Sequence, residues 1–593
     1  MLQLKSCFTN KKTVQITVLE GNKMNNNQEL ENLRHSAAHL LAQAVLELYP
    51  KTILTIGPVT KNGFFYDFLP KTNFKEEDLP KIEERMREIV KRNQPITQKE
   101  VRKEEAIKLF KDNPFKLELI AGIPDETVGI SQQGDFFDLC RGGHVESTGK
   151  IKAFKLTGLS GAYWRADKEN AALQRISGTA FKSEKDLLAY EQRIEDAKLY
   201  DHRRLGKQLD LFSFHEEGPG LPFFLPKGFI VYNELINYMR ELLKKYDYQE
   251  ISTPTILNED LWKQSGHYYN YKENMYFTEP IEEKTFALKP MNCPGAILIY
   301  KERPRSYREL PVKLSEFGKV HRHELSGTLN GLFRVRAFTQ DDAHIFCTKE
   351  QLEDQILELI QIIKTVIDKF GFDKIQVGLS TRPKKSMGTD EMWERGENAL
   401  KHALETAKIE YTIFPGDGAF YGPKIDFLFV DSLDREWQCG TIQIDFNNPE
   451  NFDINYINSE GKKERPIMIH RVIYGSLERF FGVLLEHYKG LLPFWLAPIQ
   501  MRILTITDEQ QAYGQKVLDL LKNLNIRAEL EKTSNTISAK IKTAQLEKIP
   551  VMIVIGQKEQ DQNTVTFRYN KGEQEFGIKL EDLPKKINEL FKK

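Results

Sequence analysis

Apolar positions from Leu30 onward recur at helical spacing, at Leu30, Leu33, Ala37, Leu40, Ala44 and Leu48, and Pro50 closes the run. An amphipathic helix is therefore expected there. A second helical stretch is predicted over 76–92, followed by mixed segments to about residue 153. Over 183–204 the pattern becomes strongly charged at helical spacing, which suits a connector between modules. The Pro/Gly-rich segment 219–228 then opens onto a longer region. Near the C-terminus, apolar runs at 501–506 and 550–556 alternate with helical patterns at 509–524 and 536–547, a βαβ rhythm that predicts a small parallel α/β domain. At the other end, 12–21 alternates like a short strand and the polar stretch 24–29 reads as a linker.

Period two, not 3.6, governs 315–346, SEFGKVHRHELSGTLNGLFRVRAFTQDDAHIF. Arg322 and Glu324 share one strand face ahead of a turn containing Gly327 and Gly331; Arg334, Arg336, Phe338 and Gln340 share one face after it. Two strands joined by a loop would aim several of these groups at one pocket. Guanidinium forks suit carboxylate and phosphate oxygens bidentately, as a lysine cannot. On pattern alone, a solvated hairpin of alternating charge is an equal reading.

At 593 residues the chain is too long for a single core, so about three or four domains are expected. Lys+Arg and Asp+Glu both number 85, so no overall field attracts nucleic acid and any RNA contact must use local basic patches. The five cysteines, Cys7, Cys140, Cys293, Cys347 and Cys439, show no paired spacing, which argues against a disulfide framework and for a reducing compartment. No run of about 18 apolar residues suggests a membrane span. The N-terminus lacks a signal-peptide apolar core and is Lys-rich rather than Arg-rich, so a cytoplasmic location is expected.

The stretch 315–346 resembles motif 2 of the class II aminoacyl-tRNA synthetases, in the form found in the threonyl-tRNA synthetases. The likeness extends to GFIVYNELINYMRELLKKYDYQEISTP at 228–254, similar to motif 1, to LKPMNCPGA at 288–296, to WQCGTIQIDF at 437–446, and to PIMIHRVIYGSLERFFGVLLEH at 466–487, similar to motif 3. It implies an α+β and α/β multidomain protein: a short N-terminal segment (1–29), an α+β editing domain (30–182), a connector helix (183–204), a class II catalytic domain built on an antiparallel sheet (205–496) and a C-terminal α/β anticodon-binding domain (497–593). Such proteins often begin with a small ubiquitin-like domain; the residues ahead of Leu30 are too few to build one, so it is expected to be absent or vestigial.

The resemblance implies an enzyme that activates L-threonine with ATP, releasing pyrophosphate, and transfers it to tRNA(Thr), as a homodimer in contact through motif 1. Activation brings two anions together, so catalysis is mainly positioning and cationic stabilisation. By resemblance, Arg322 spans the α-phosphate and the substrate carboxylate, Glu324 and Phe338 meet adenine, Arg334 reaches the outer phosphates, Gln438 adds an ATP contact, and Arg479 of GSLERFFG covers the other adenine face. Lys424 adds a cation, and Mg²⁺ accompanies ATP. Without the resemblance, Arg479 would read as a helix arginine in a surface salt bridge.

Cys293, His344 and His470 lie far apart in the chain and no spacing rule joins them; singly, each reads as a packed core residue. In the family, the Cys of MNCPG, the His of QDDAH and the His of IMIHR hold one zinc per subunit, and all three contexts are present. One Cys and two His with an open position form a catalytic-type shell. A zinc bound through amino group and hydroxyl together rejects valine, which an apolar pocket separates poorly from threonine. Asp342 is placed to accept the hydroxyl proton, or alternatively is a strand-end carboxylate paired with an arginine. Gln340, Tyr421 and Gln443 are implied as further threonine contacts.

Serine offers the same two groups and lacks only a methyl, worth about 1–3 kcal/mol of discrimination, so a second, hydrolytic site is the physical remedy. HSAAH (35–39) and DLCRGGH (138–144) resemble the family's editing centre. From the residues alone, two His at i and i+4 share a helical face, Cys140 and His144 repeat the interval, and a zinc site is an equal reading. The resemblance implies hydrolysis of seryl-tRNA(Thr) by ordered water without a required metal, at His35, His39, Lys116, Asp138, Cys140 and His144. At the RNA end, ELEKTSNTISAKIK (529–542) and the pair Glu547 and Lys548 carry fewer cations than the family pattern, which weakens phosphate attraction; Asn535 and Lys540 are the expected tRNA contacts. Two other readings are a related class IIa enzyme for serine or proline, opposed by the Cys293, His344, His470 set and Asp342, and a non-catalytic synthetase-like binding protein, opposed by the presence of Arg322, Arg334 and Arg479.

Overall fold

A computed structural model of the chain describes residues 22–60, 62–372, 374–431 and 435–592. The strand expected over 12–21 lies outside the described residues. The fold divides into two compact units, one reaching to Glu195 and one running from Asp196.

In the first unit a long helix spans Asn22–Leu48, so the segment 24–29 is helix and not linker. Once a helix is nucleated, each added residue closes another backbone hydrogen bond at little cost, and Met, Gln and Glu are adequate helix formers. Leu33, Ala37, Leu40 and Ala44 are buried as their stripe predicts, yet Ala38, Leu41, Ala42 and Val45 are buried too. The helix is covered on more than one side, by the helix Leu79–Arg92 and by an antiparallel sheet in the order Ile53–Leu54, Gly63–Leu69, Ala172–Phe181, Ala153–Tyr163. A separate three-stranded antiparallel sheet, Ile96–Arg102, Thr127–Gln133 and Phe136–Leu139, delivers Asp138 and ends at Cys140. The charged run forms the helix Glu184–Leu199 and then breaks; Asp201 caps a second helix, His202–Gln208, by accepting from the Arg203 N–H.

The second unit is organised by an eight-stranded sheet in the order Gln249–Glu250, Val312–His321, Ala337–Cys347, Ile467–Val472, Glu436–Asp445, Lys424–Val430, Ile375–Ser380, Thr412–Phe414. It is antiparallel through its centre, with a parallel pair at each edge. The helices Pro226–Lys244, Leu352–Phe370, Asp390–Thr406 and Leu477–His487 share one apolar core with it. The strands of the 315–346 hairpin stop at His321 and resume at Ala337, so Arg322, Glu324, Arg334 and Arg336 lie on the connecting loop and not on strand faces. Other segments compete for that backbone: the His323 N–H donates to Asn274 and the Arg336 N–H to Gly220, although Arg322 N–H still reaches Arg336.

A five-stranded sheet closes the chain, in the order Ala528–Glu531, Met501–Thr505, Val551–Ile555, Thr564–Tyr569, Gln574–Lys579. The first three strands are parallel and the last two antiparallel, so the sheet is mixed where an all-parallel one was expected. A tight turn with Gly572 at φ +108° joins the last pair, and no crossover helix is needed there.

Candidate active sites

On one face of the eight-stranded sheet, register places His344, His470, Gln443 and Lys424 in a single row across four strands. Asp342 and Gln340 follow His344 at period two along its own strand. Cys293 reaches the row as the first residue of the helix Cys293–Lys301. The ligand atoms of Cys293, His344 and His470 lie within 4.8 Å of one another, and all three residues are buried. His344 Nε2 has no hydrogen-bond partner, a deficit worth about 1–3 kcal/mol if nothing fills it. His470 Nε2 lies 2.9 Å from Asp445 Oδ2; a ring N–H donated to that carboxylate leaves Nδ1 bare for a cation. Burial pushes the Cys293 thiol up and holds the His344 imidazole well below its ordinary value. A neutral imidazole, a second imidazole backed by a carboxylate, and a thiol that ionises on binding fit a zinc ion with a position left open.

Asp342 Oδ2 accepts from Asn292 Nδ2 at 3.2 Å, and burial pushes its carboxyl up to about 6. Asn292 uses space that a side chain at position 318 would take: a Cβ on Gly318 would meet Asn292 Oδ1 at 2.2 Å. His267, which sequence reasoning missed, is fully buried, with Nε2 3.9 Å from Cys293 Sγ and Nδ1 2.7 Å from Ser265 Oγ. Asn292 stands beside Cys293 in the quoted motif, so its neighbourhood was visible; for His267 there was no such signal.

Two cavities open here. One of about 340 Å³ is lined by Met291, Cys293, Asp342, Tyr421, Lys424, Gln443 and His470, the other of about 450 Å³ by Tyr271, Glu324, Arg334, Phe338, Ser476 and Arg479. Arg322, Gln340, Gln438 and Thr441 line both. Arg322 Nε donates to the Pro290 carbonyl at 3.2 Å, and its Cζ lies 5.0 Å from the Phe338 ring centroid. Arg479 Nε donates to the Phe333 carbonyl at 3.1 Å. Glu324 and Arg334 pair with each other at 3.0 Å; such a partly exposed pair is worth about 0–1 kcal/mol, so a phosphate can displace it. Lys424 pairs with Asp426 at 2.8 Å, and Gln438 Nε2 donates to the same carboxylate at 2.6 Å. Glu478, also missed although it adjoins Arg479, is buried and accepts the Thr339 N–H at 2.9 and 3.1 Å. Burial pushes its carboxyl up to about 7. It ties the helix that carries Arg479 to the strand that carries Phe338 and Gln340.

In the first unit, His35, His39, Cys140 and His144 bring their ligand atoms within 4.8 Å of one another. Cys140 Sγ is 3.1 Å from His144 Nε2 and 3.5 Å from His35 Nε2, and the His35 and His144 rings stack at 4.4 Å. Burial holds all three imidazoles below their ordinary value, His39 furthest and His144 at about 4, and pushes the Cys140 thiol up. Lys116 and Asp138 form a buried ion pair. Tyr66 completes it, donating to Asp138 Oδ2 at 2.6 Å and accepting from Lys116 Nζ at 3.2 Å. Tyr66 sits in an apolar strand, GFFYDFL, and its sequence context marks only a core position.

Two further groups resolve differently. Asp201, His202 and Glu486 also converge, but His202 Nδ1 donates to Glu486 at 2.7 Å and its Nε2 accepts the Leu332 N–H at 3.0 Å, which uses both ring nitrogens in packing. Lys540, expected as a tRNA contact, is 3% exposed and its ammonium donates to the Thr505 carbonyl at 3.1 Å. Its charge serves the fold and is not presented to a phosphate. Asn535 is exposed on the loop ahead of the helix Ile537–Leu546, with its amide 3.2 Å from Thr533 Oγ1. Among the described residues, no helix is long and apolar enough to cross a membrane.

Three family profiles match the chain: the tRNA synthetase class II core domain (G, H, P, S and T) over 276–488, the anticodon binding domain over 497–590, and the threonyl and alanyl tRNA synthetase second additional domain over 128–177. The chain is 54% identical over 561 residues to a threonine–tRNA ligase of Clostridium tetani, covering 94% of this chain and 88% of that protein. It is 54% identical over 562 residues to one of Acetivibrio thermocellus. Among solved structures it is similar to the RNA binding domain of a threonyl-tRNA synthetase from Cryptosporidium parvum (44% identity, TM-score 0.64, 66% of this chain and 98% of that one). A putative threonyl-tRNA synthetase from Aeropyrum pernix is similar at 31% identity and TM-score 0.59, over 66% of this chain and 95% of that one.

Proposed function

Since the chain belongs to the threonine–tRNA ligase family, we propose that its two clusters split one task between them, the sheet of the second unit joining threonine to tRNA(Thr) and the first unit hydrolysing seryl-tRNA(Thr). The observation that carries this reading is Arg322, which lines both cavities on the sheet. A threonine carboxylate in one cavity and an ATP α-phosphate in the other would meet at its guanidinium, which holds two repelling anions in reacting geometry and stabilises the charge that builds between them. Phe338 and Arg479 take opposite faces of adenine, Glu324 and Gln438 its edge and surroundings, and Arg334 the outer phosphates with their Mg²⁺. Lys424, on the amino-acid side, adds positive potential near the carboxylate.

Gln340, Asp342, Tyr421 and Gln443 hold threonine, with Asp342 as the ionised acceptor for its hydroxyl. Cys293, His344 and His470 would hold the zinc ion, which when bound supplies a point where an amino group and a neighbouring hydroxyl are recognised together. In the first unit, the stacked neutral imidazoles and Cys140 order water beside the ester, and the Lys116–Asp138–Tyr66 group anchors the wall behind them. The domain limits 30–182, 205–496 and 497–593 are assigned to editing, synthesis and anticodon binding, with Asn535 the remaining tRNA contact in the last. Phe229 and Ile256, 51% and 53% exposed in and just beyond the motif 1 segment, support a homodimer through that face. The unpaired thiols of Cys140, Cys293, Cys347 and Cys439 support a reducing, cytoplasmic setting.

Purified, zinc-replete protein tested for ATP–pyrophosphate exchange with threonine, serine and proline decides the synthetic reading: exchange should be fastest with threonine and weak with serine. Equal or greater exchange with proline, or none with threonine, would sink it.

A further inference from the structure

Ser36 lies between two residues of the hydrolytic cluster in sequence and is fully buried. Its Oγ meets three polar atoms: the Asn32 carbonyl at 2.8 Å, the Val145 N–H at 3.0 Å and His144 Nδ1 at 3.2 Å. A hydroxyl has one proton and two lone pairs. The Asn32 carbonyl carries no proton, so two oxygens sit 2.8 Å apart there only because the Ser36 proton lies between them. The Val145 N–H can only donate and takes one lone pair. What remains for His144 is the other lone pair, so Nδ1 must carry a hydrogen and donate it.

A neutral His144 then has a bare Nε2. That atom faces the cluster, 3.1 Å from Cys140 Sγ, where the His35 and His39 rings also converge at 4.4 and 4.7 Å. We propose that Ser36 is a positioning residue of the hydrolytic site: by accepting from Nδ1 and giving its own proton to Asn32, it fixes the tautomer that turns the acceptor lone pair of Nε2 into the cluster, where it accepts from the Cys140 thiol and is available to a reacting water that displaces that thiol. The inference rests on the reading of this cluster as a seryl-tRNA hydrolase.

The test uses the full chain and seryl-tRNA(Thr) in single-turnover hydrolysis over a range of enzyme concentrations, which separates the maximal rate from the half-saturating concentration. Ser36→Ala should lower the maximal rate about 10–100-fold, the range for residues that orient a functional histidine, with half-saturation unchanged. Ser36→Thr, which keeps the hydroxyl, should recover most of the rate. Melting of both variants, followed alongside, reports that the unit carrying Ser36 is folded. Hydrolysis by Ser36→Ala at the wild-type rate would overturn the proposal, as would a loss that Ser36→Thr shares in full or one carried only by half-saturation. Failure of the unaltered chain to hydrolyse seryl-tRNA(Thr) would instead overturn the reading beneath it.

Discussion

The two histidine–cysteine clusters use the same residue types and differ in what surrounds them. On the sheet, Cys293, His344 and His470 come from a helix start and two paired strands; His344 Nε2 makes no hydrogen bond and has Asp342 Oδ1 3.7 Å away, and Asp445 stands behind His470. In the first unit the side chains bond to one another: His144 to Ser36 and Cys140, Cys140 to His35. Each cluster keeps one buried nitrogen without a hydrogen bond, His344 Nε2 and His39 Nδ1, but the first-unit ligands already bond to one another while those on the sheet do so less. The two clusters share ligand types, and the hydrogen bonds already made around the ligands are what separate them.

The sharpest way to break that contrast is Cys293→Ala, which should abolish both bound zinc and threonine-dependent exchange. His39→Ala should retain one zinc per chain by elemental analysis. If Cys293→Ala still held zinc, the other cluster would be a metal site and the distinction would fail. Next in size, Arg322→Ala should slow exchange about 10²–10³-fold without slowing seryl-tRNA hydrolysis. His39→Ala should do the converse, slowing hydrolysis about 10²-fold while exchange continues and seryl-tRNA(Thr) accumulates; equal damage to both activities in either variant would deny separate sites. The smallest effect is an absence. Because burial holds His144 at about 4, its imidazole stays neutral as pH falls through the ordinary histidine range. The hydrolysis rate should therefore show no break near pH 6.5 and fall only toward pH 4. A clear break near pH 6.5 would mean that the imidazole is solvated.

Much of this was legible in the sequence, for stated reasons. Period two placed Phe338 and Gln340 on one strand face, which the structure continues through Asp342 and His344, and the i, i+4 spacing placed His35 and His39 on one helical face. Strand limits were less visible: Arg322 and Arg334 continue the alternation, but the neighbouring His323 and Arg336 N–H groups donate to the Asn274 and Gly220 carbonyls and draw the chain into a loop. The convergence of Cys293, His344 and His470 depends on strand register between segments far apart in the chain, which no local pattern encodes; only the resemblance supplied it. Ser36 and Glu478 hid beside residues already singled out, since their roles come from backbone groups brought to them by the fold. Lys540 reads as a surface cation in sequence and is buried because its helix packs against the strand that ends at Thr505.

Gly318 lies across the sheet from Gln340 and touches no proposed substrate group. Its missing side chain makes room for the Asn292 amide that steadies Asp342. Even the smallest replacement there would evict that amide and leave unsupported the carboxylate proposed to meet the hydroxyl. A screen for altered amino-acid preference should then score position 318 as a selectivity determinant, through Asn292 and not through a side chain of its own.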